Sequence, residues 1–196
     1  MNLLLQAAAE LQVFCDKRKW AMCFIGGLAV QRWGEPRFTK DADITLLTGF
    51  GEEASYIDEL LRVYSARVPD AKQFAIRNRV LILASEDDVP IDIALGALPF
   101  EEHAIERASR FQYAPKCRLN TCSAEDLIIH KAFANRPQDW LDIESILVRQ
   151  QKSVDLKLIW SEILPLAELK DEISILESLR ARVKSVLGAR EAAKLK

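Results

Sequence analysis

The chain has 196 residues, 27 basic and 29 acidic, for a net charge of -2, with 49% hydrophobic and 29% charged residues. That balance belongs to one globular domain, or one domain with a helical extension; it excludes a disordered or fibrous chain and gives no global push toward nucleic acid. No apolar run approaches the ~20 residues of a bilayer span, and Leu3, Leu4 and Leu5 lead into a helical pattern rather than a leader peptide, so a cytoplasmic protein with no membrane partner is expected.

Residues 3–18 repeat Leu4, Ala7, Ala8, Leu11 and Phe14 at helical spacing, which predicts an amphipathic first helix. Trp20 to Ile25 is a short apolar run halted at Gly26-Gly27, the pattern of a buried strand, and Gly27 to Trp33 is a short helix broken by Gly34-Glu35-Pro36. Asp41 to Leu47 alternates polar and apolar residues, the period of a strand with one wet face. A helix over Glu52 to Ala66 follows, then strands over Lys72 to Ala84, bent near Asn78, and Val89 to Leu95. A short helix at Phe100 to Ala108 and a strand-like stretch at Arg110 to Leu119 close this half. From Ser123 the chain is helical: Ser123 with Glu125 and Asp126 makes an N-cap, Pro137 opens a further helix, and Pro165 interrupts a later one. The expected division is an α/β core over residues 1–122 and a helical C-terminal region over 123–196.

Cys15, Cys23, Cys117 and Cys122 form no C-x-x-C pair, which points to reduced, buried thiols rather than zinc or a disulfide scaffold. Charge is uneven along the chain. Residues 177–196 carry Arg180, Arg182, Lys184, Arg190, Lys194 and Lys196 against Glu177 and Glu191, so this tail is +4 and the remainder -6. It reads either as a solvated helix face or as a contact to a phosphate backbone. His103 and His130 are assigned no chemistry.

Four features carry the functional reading. Gly26 and Gly27 end a strand and open a helix, where the backbone approaches a ligand closely and free N–H groups face phosphate oxygens. Asp41 and Asp43 stand at i and i+2 of one strand, about 6–7 Å apart at Cα, close enough to share a hard divalent cation or merely to face solvent together. Asp92 is a lone carboxylate in the apolar strand Pro90 to Leu95, a costly placement without a cationic or metal partner. Finally, Lys131 on an apolar helix precedes Arg136, Asp139 and Asp142 on a helix started by Pro137, with Asp139 and Asp142 one turn apart.

Gly26-Gly27, thirteen intervening residues, then Asp41-x-Asp43 resembles the signature of the DNA polymerase β-like nucleotidyltransferase superfamily, and Asp92 matches its third acidic strand. More narrowly, Arg37-x-Thr39-x-Asp41-x-Asp43 with Lys131 and Arg136-x-x-Asp139-x-x-Asp142 resembles the AbiEii-type nucleotidyltransferase toxins, with one departure: Gln138 stands where a basic residue is expected. The resemblance runs from Ile25 to Ile143. It implies an α/β nucleotidyltransferase fold, a small mixed sheet flanked by helices with a helical C-terminal part. It implies transfer of a nucleoside monophosphate from an NTP to a hydroxyl. Asp41, Asp43 and Asp92 would bind Mg²⁺, with Mn²⁺ as alternative, and act in catalysis with Lys131. Gly26, Gly27, Arg37, Thr39, Lys131, Arg136 and Asp139 would hold the nucleotide. The expected acceptor is tRNA or another RNA, in a toxin paired with an antitoxin protein. The alternatives are a small aminoglycoside-like acceptor, a protein acceptor, and a non-catalytic binding module on the same fold.

Overall fold

The computed structural model describes residues 2–195. Among them the order is α1 (Leu3–Arg18), β1 (Met22–Phe24), α2 (Gly26–Trp33), β2 (Ala42–Leu47), α3 (Glu53–Leu61), β3 (Ser65–Ala66), α4 (Ala71–Asn78), β4 (Val80–Ala84) and β5 (Pro90–Gly96). It continues α5 (Pro99–Glu106), β6 (Ser109–Ala114), β7 (Cys117–Thr121), α6 (Ala124–Ala134), α7 (Pro137–Gln150), α8 (Leu156–Leu169), α9 (Ser174–Leu187) and α10 (Ala189–Ala192). No helix among the described residues is long and apolar enough to cross a membrane.

The chain forms two compact units: residues 1–28 with 38–122, and residues 29–37 with 123–196. Segment 29–37 thus joins the helical unit rather than the α/β one in which a division by sequence alone leaves it.

The first unit is built on one mixed sheet of order β3-β4-β5-β2-β1-β7-β6. Its centre decides where chemistry is placed. β2 runs antiparallel to β1 and parallel to β5, and the register sets Asp43 opposite Asp92, Ile44 opposite Ile93 and Leu46 opposite Leu95. Alternation therefore sends Ala42, Ile44 and Leu46 with Ile91, Ile93 and Leu95 into the core, where Leu4, Ala8, Leu11 and Cys15 of α1 pack with them. Asp43 and Asp92 are left together on the opposite face.

Several expectations need correction. Residues 72–84 are not one bent strand: Ala71 and Ala75 bury one turn apart as α4, and the chain turns at Arg79 (φ 54) before β4 begins. The Arg79 guanidinium pins that break by donating to the Leu95 carbonyl (2.9 Å) and the Gly49 carbonyl (3.2 Å) and by pairing with Glu53. The helix expected to reach Ala66 ends at Leu61, because Ser65 and Ala66 pair with Ala84 and Leu83 of β4. Arg110 to Leu119 is a hairpin, not one strand: Pro115 cannot donate to a ladder and Lys116 takes φ 114, the turn that separates β6 from β7. Nor does Pro165 interrupt its helix. It lies on the exposed side of α8, where water can satisfy the carbonyl that loses its partner.

In the second unit α6 to α9 bury Leu127, Ile128, Ile143, Ile146, Ile163, Leu179 and Val183. The Ser123 hydroxyl caps α6 as expected, accepting from the Asp126 N–H at 3.0 Å. All four cysteines are free and buried, and burial pushes the Cys15 thiol up to about 12.

Candidate active site

The glycine pair between β1 and α2 is set by close approach. Gly26 adopts φ +57, and a Cβ there would stand 2.0 Å from Asp43 Oδ2; a Cβ on Gly27 would stand 2.4 Å from Thr39 Oγ1. The Ile25 N–H donates to the Asp43 carbonyl at 2.9 Å, which locks the turn to β2. Gly26, Gly27, Thr39 and Asp43 are therefore one packed group, and the first turn of α2, whose N–H groups have no intrahelical acceptors, starts from it. Gly27→Ala is expected to displace Thr39, to cost about 1–3 kcal/mol of stability and to lower turnover further. Melting temperature and NTP turnover measure both, and an unchanged melt would mean that the contact yields freely.

The carboxylates come from neighbouring strands. Asp43 and Asp92 face each other in register, and Asp41 lies just before β2. Burial pushes the Asp92 carboxyl up, the Arg67 guanidinium opposes that, and the charge of Asp41 adds to the rise. Arg67 Nη1 donates to Asp92 Oδ1 at 3.2 Å. Three carboxylates form an all-oxygen donor set of the kind a hard divalent cation takes, and the repulsion Asp92 feels from Asp41 is what such an ion would relieve. The donor chemistry fits. Among the described residues, however, no three Asp, Glu, His or Cys side chains are gathered at metal-ligating distance.

A carboxyl whose folded pKa is raised costs stability once ionised. The cost is absent below its unfolded value of about 3.9, sets in as pH rises through the folded value and persists above it. Asp92→Asn should therefore raise the melting temperature at pH 7 but not at pH 3, and a lowered melt at pH 7 would contradict the assignment.

The second unit gathers the other basic and acidic residues of the sequence pattern. Lys131 Nζ meets Asp139 Oδ1 at 3.0 Å and Asp142 Oδ2 at 2.6 Å, with side-chain exposures of 5%, 2% and 3%. Arg37 donates to both Asp142 oxygens, at 2.8 and 2.9 Å, and the Gln138 amide to Oδ1 at 3.1 Å. Arg136 Nε donates to Asp139 at 2.7 Å, while its own side chain is 73% exposed. Burial alone would raise both aspartates, but bonds from Arg136 and Lys131 hold Asp139, and bonds from Arg37 and Lys131 hold Asp142, below the usual carboxylate range. Lys131, expected from sequence to pair with phosphate, is buried with its charge already met by two carboxylates. Arg136 is the cation of this group most open to solvent.

Sequence reasoning missed Arg67, which carries no motif and reaches Asp92 only through the pairing of the two-residue strand β3. In the basic tail, Arg182 pairs with Glu144, Lys194 with Glu191, and Arg180 donates to the Leu195 carbonyl and stacks on Trp160. Lys184 and Arg190 are exposed, and Lys196 lies outside the described residues.

The family described as nucleotidyl transferase AbiEii toxin, type IV toxin–antitoxin system, matches residues 16–191. No curated protein matches the chain in sequence. A solved nucleotidyltransferase-like protein from Paracoccidioides brasiliensis is 14% identical, with TM-score 0.51, over 93% of this chain and 95% of its own; that likeness shows the shared fold. The lincomycin-bound lincosamide antibiotic adenylyltransferase LnuA (16% identity, TM-score 0.46, 70% of this chain and 92% of its own) is also similar. So is the antibiotic-resistance factor ANT(2'')-Ia (16% identity, TM-score 0.48, 88% and 94%).

Proposed function

Because the chain belongs to the AbiEii nucleotidyl transferase toxin family, we propose that it moves a nucleoside monophosphate from an NTP onto an RNA hydroxyl, tRNA foremost, as a toxin countered by an antitoxin. The family makes it a nucleotidyltransferase, an enzyme that uses an NTP and a divalent cation, for which Mg²⁺ is our assignment. The observation that carries the reading is the register of Asp43 opposite Asp92, beside a glycine turn packed on Asp43 and Thr39.

In the proposed reaction the acceptor oxygen attacks the α-phosphorus, the bond to the β-phosphate breaks, and pyrophosphate leaves. The N–H groups at the start of α2 bind phosphate oxygens, and the Thr39 hydroxyl donates to the same group. Asp92, with its raised carboxyl pKa, accepts the proton of the acceptor hydroxyl. Asp41, Asp43 and Asp92 would hold the cation, which would supply neutralisation of the charge that develops on the phosphates. Within the second unit, Arg136 is the exposed cation assigned to phosphate, and Arg37 belongs to the same ion network. Lys131 and Asp139 act through that network by fixing its geometry. Lys184 and Arg190 on the basic tail supply a phosphate-backbone contact to RNA, whose binding should weaken steeply with salt.

The test is incubation with each labelled NTP, Mg²⁺ or Mn²⁺, and total tRNA, with hydroxylated aminoglycosides and cell protein as parallel acceptors. Label in tRNA supports the reading. Label confined to a drug or a protein moves the acceptor assignment, and no label from any NTP overturns the reading.

A further inference from the structure

Arg67, just past β3, is a basic side chain that the sheet brings to Asp92. Its backbone N–H donates to the Ile82 carbonyl at 3.1 Å, and Ile82 is the register partner of Asp92 on β4 and β5. The backbone thus fixes Arg67 across β4 from Asp92, on the line of the β3 edge, and its guanidinium reaches over that strand to Asp92 Oδ1 at 3.2 Å. On Asp92's other side, β2 presents Asp43 in register. The Asp92 carboxylate stands between two claims: a cationic side chain on the β4 side and an acidic pair on the β2 side. Its side chain is 37% exposed and that of Arg67 41%, so neither is locked by packing, and one rotation can exchange the partners.

We propose that Arg67 is a positioning residue that competes with the divalent cation for Asp92, holding the third carboxylate on the β4 side until the cation draws it to Asp41 and Asp43. This rests on the reading of those three aspartates as the cation's donors. In this arrangement a part of the free energy of cation binding is offset by breaking an ion pair. The exchange separates a lone NTP-free encounter with the ion, where Arg67 resists, from assembly with substrate, where further phosphate oxygens favour the ion.

Mn²⁺ binding to the full chain, followed by the loss of its free-ion electron paramagnetic resonance signal, tests the competition without any turnover. Arg67→Ala should bind Mn²⁺ roughly three- to fivefold more tightly than the unmodified protein, the weight of one exposed ion pair. Arg67→Lys should stay close to the unmodified affinity, because it restores a cation at the same position. In an Asp92→Asn background, Arg67→Ala should change the affinity little. Equal tightening in that background would mean a general field effect, and unchanged or weaker binding by Arg67→Ala would mean no competition; either result overturns the inference while leaving the metal reading intact. If neither the unmodified protein nor any Arg67 variant binds Mn²⁺, the metal reading falls and this inference with it. Thermal melts of each variant confirm that folded protein is compared.

Discussion

Asp41→Asn and Asp43→Asn are each expected to lower nucleotidyl transfer by about 10³-fold or more, the scale of losing a preorganised charge at a reacting phosphate, while the protein still folds. Asparagine keeps the shape of aspartate, so the contact of residue 43 with Gly26 and the backbone bond from Ile25 survive the change. What is lost is negative charge on a face where Asp92 already feels repulsion from Asp41. Stability without ligand should therefore stay the same or rise slightly, and the increase in melting temperature on adding Mg²⁺ and NTP should disappear. Melting with and without Mg²⁺-NTP, run beside the transfer assay, measures both. An Asp41→Asn or Asp43→Asn protein that unfolds, or that stays active, would make these carboxylates structural.

Lys131→Met should have the largest effect on stability, a loss of about 3–5 kcal/mol. Lys131, Asp139 and Asp142 are nearly inaccessible, so removing the cation leaves two buried carboxylates with Arg37, Arg136 and Gln138 as their side-chain donors among the described residues. Adding Asp139→Asn and Asp142→Asn to the same protein should recover much of the loss, because neutral amides need no counter-charge. The pH dependence has a definite sign. Both carboxyls are held below their unfolded values, so their contribution is present above about pH 4 and is lost as pH falls through the folded values. The difference between the unmodified protein and Lys131→Met should accordingly shrink in acid. A lysine serving phosphate alone would behave differently, with an unchanged melt and a raised KM for NTP.

The readable parts of this protein are those written locally. Gly26-Gly27, the Asp41-x-Asp43 alternation and the Ser123 cap each declare themselves within a few residues, because turn, strand and helix geometry act at that range. Asp92 was legible as an anomaly, a charge in an apolar strand, but its place beside Asp43 was implied by the family resemblance alone, since register across a parallel pair follows from the whole sheet. Arg67 was illegible because a two-residue strand has no period to detect. Residues 72–78 misled for another reason: their short, mixed polar run satisfies a strand reading, and only the burial of Ala71 and Ala75 decides for a helix. Lys131 was found by pattern, but its burial was not legible, because sequence spacing shows that a cation is near two acids without showing how dry the place is.

Neither unit is a continuous stretch of chain. Residues 29–37 belong with 123–196, and what they bring is specific: Arg37 grips Asp142, the Gly34 carbonyl accepts from Arg149 at 2.6 Å, and the Trp33 carbonyl accepts from Gln150 at 2.7 Å. A fragment cut at residue 123 would therefore inherit the helices without the short strap that completes them, exposing the faces of α7 that the strap covers and leaving Asp142 one cation short. The complementary fragment ending at 122 would carry that strap with nothing to hold. Gene fusions, splits and domain exchanges within this family should respect a boundary that the chain crosses three times, and the two halves should be inherited as one piece.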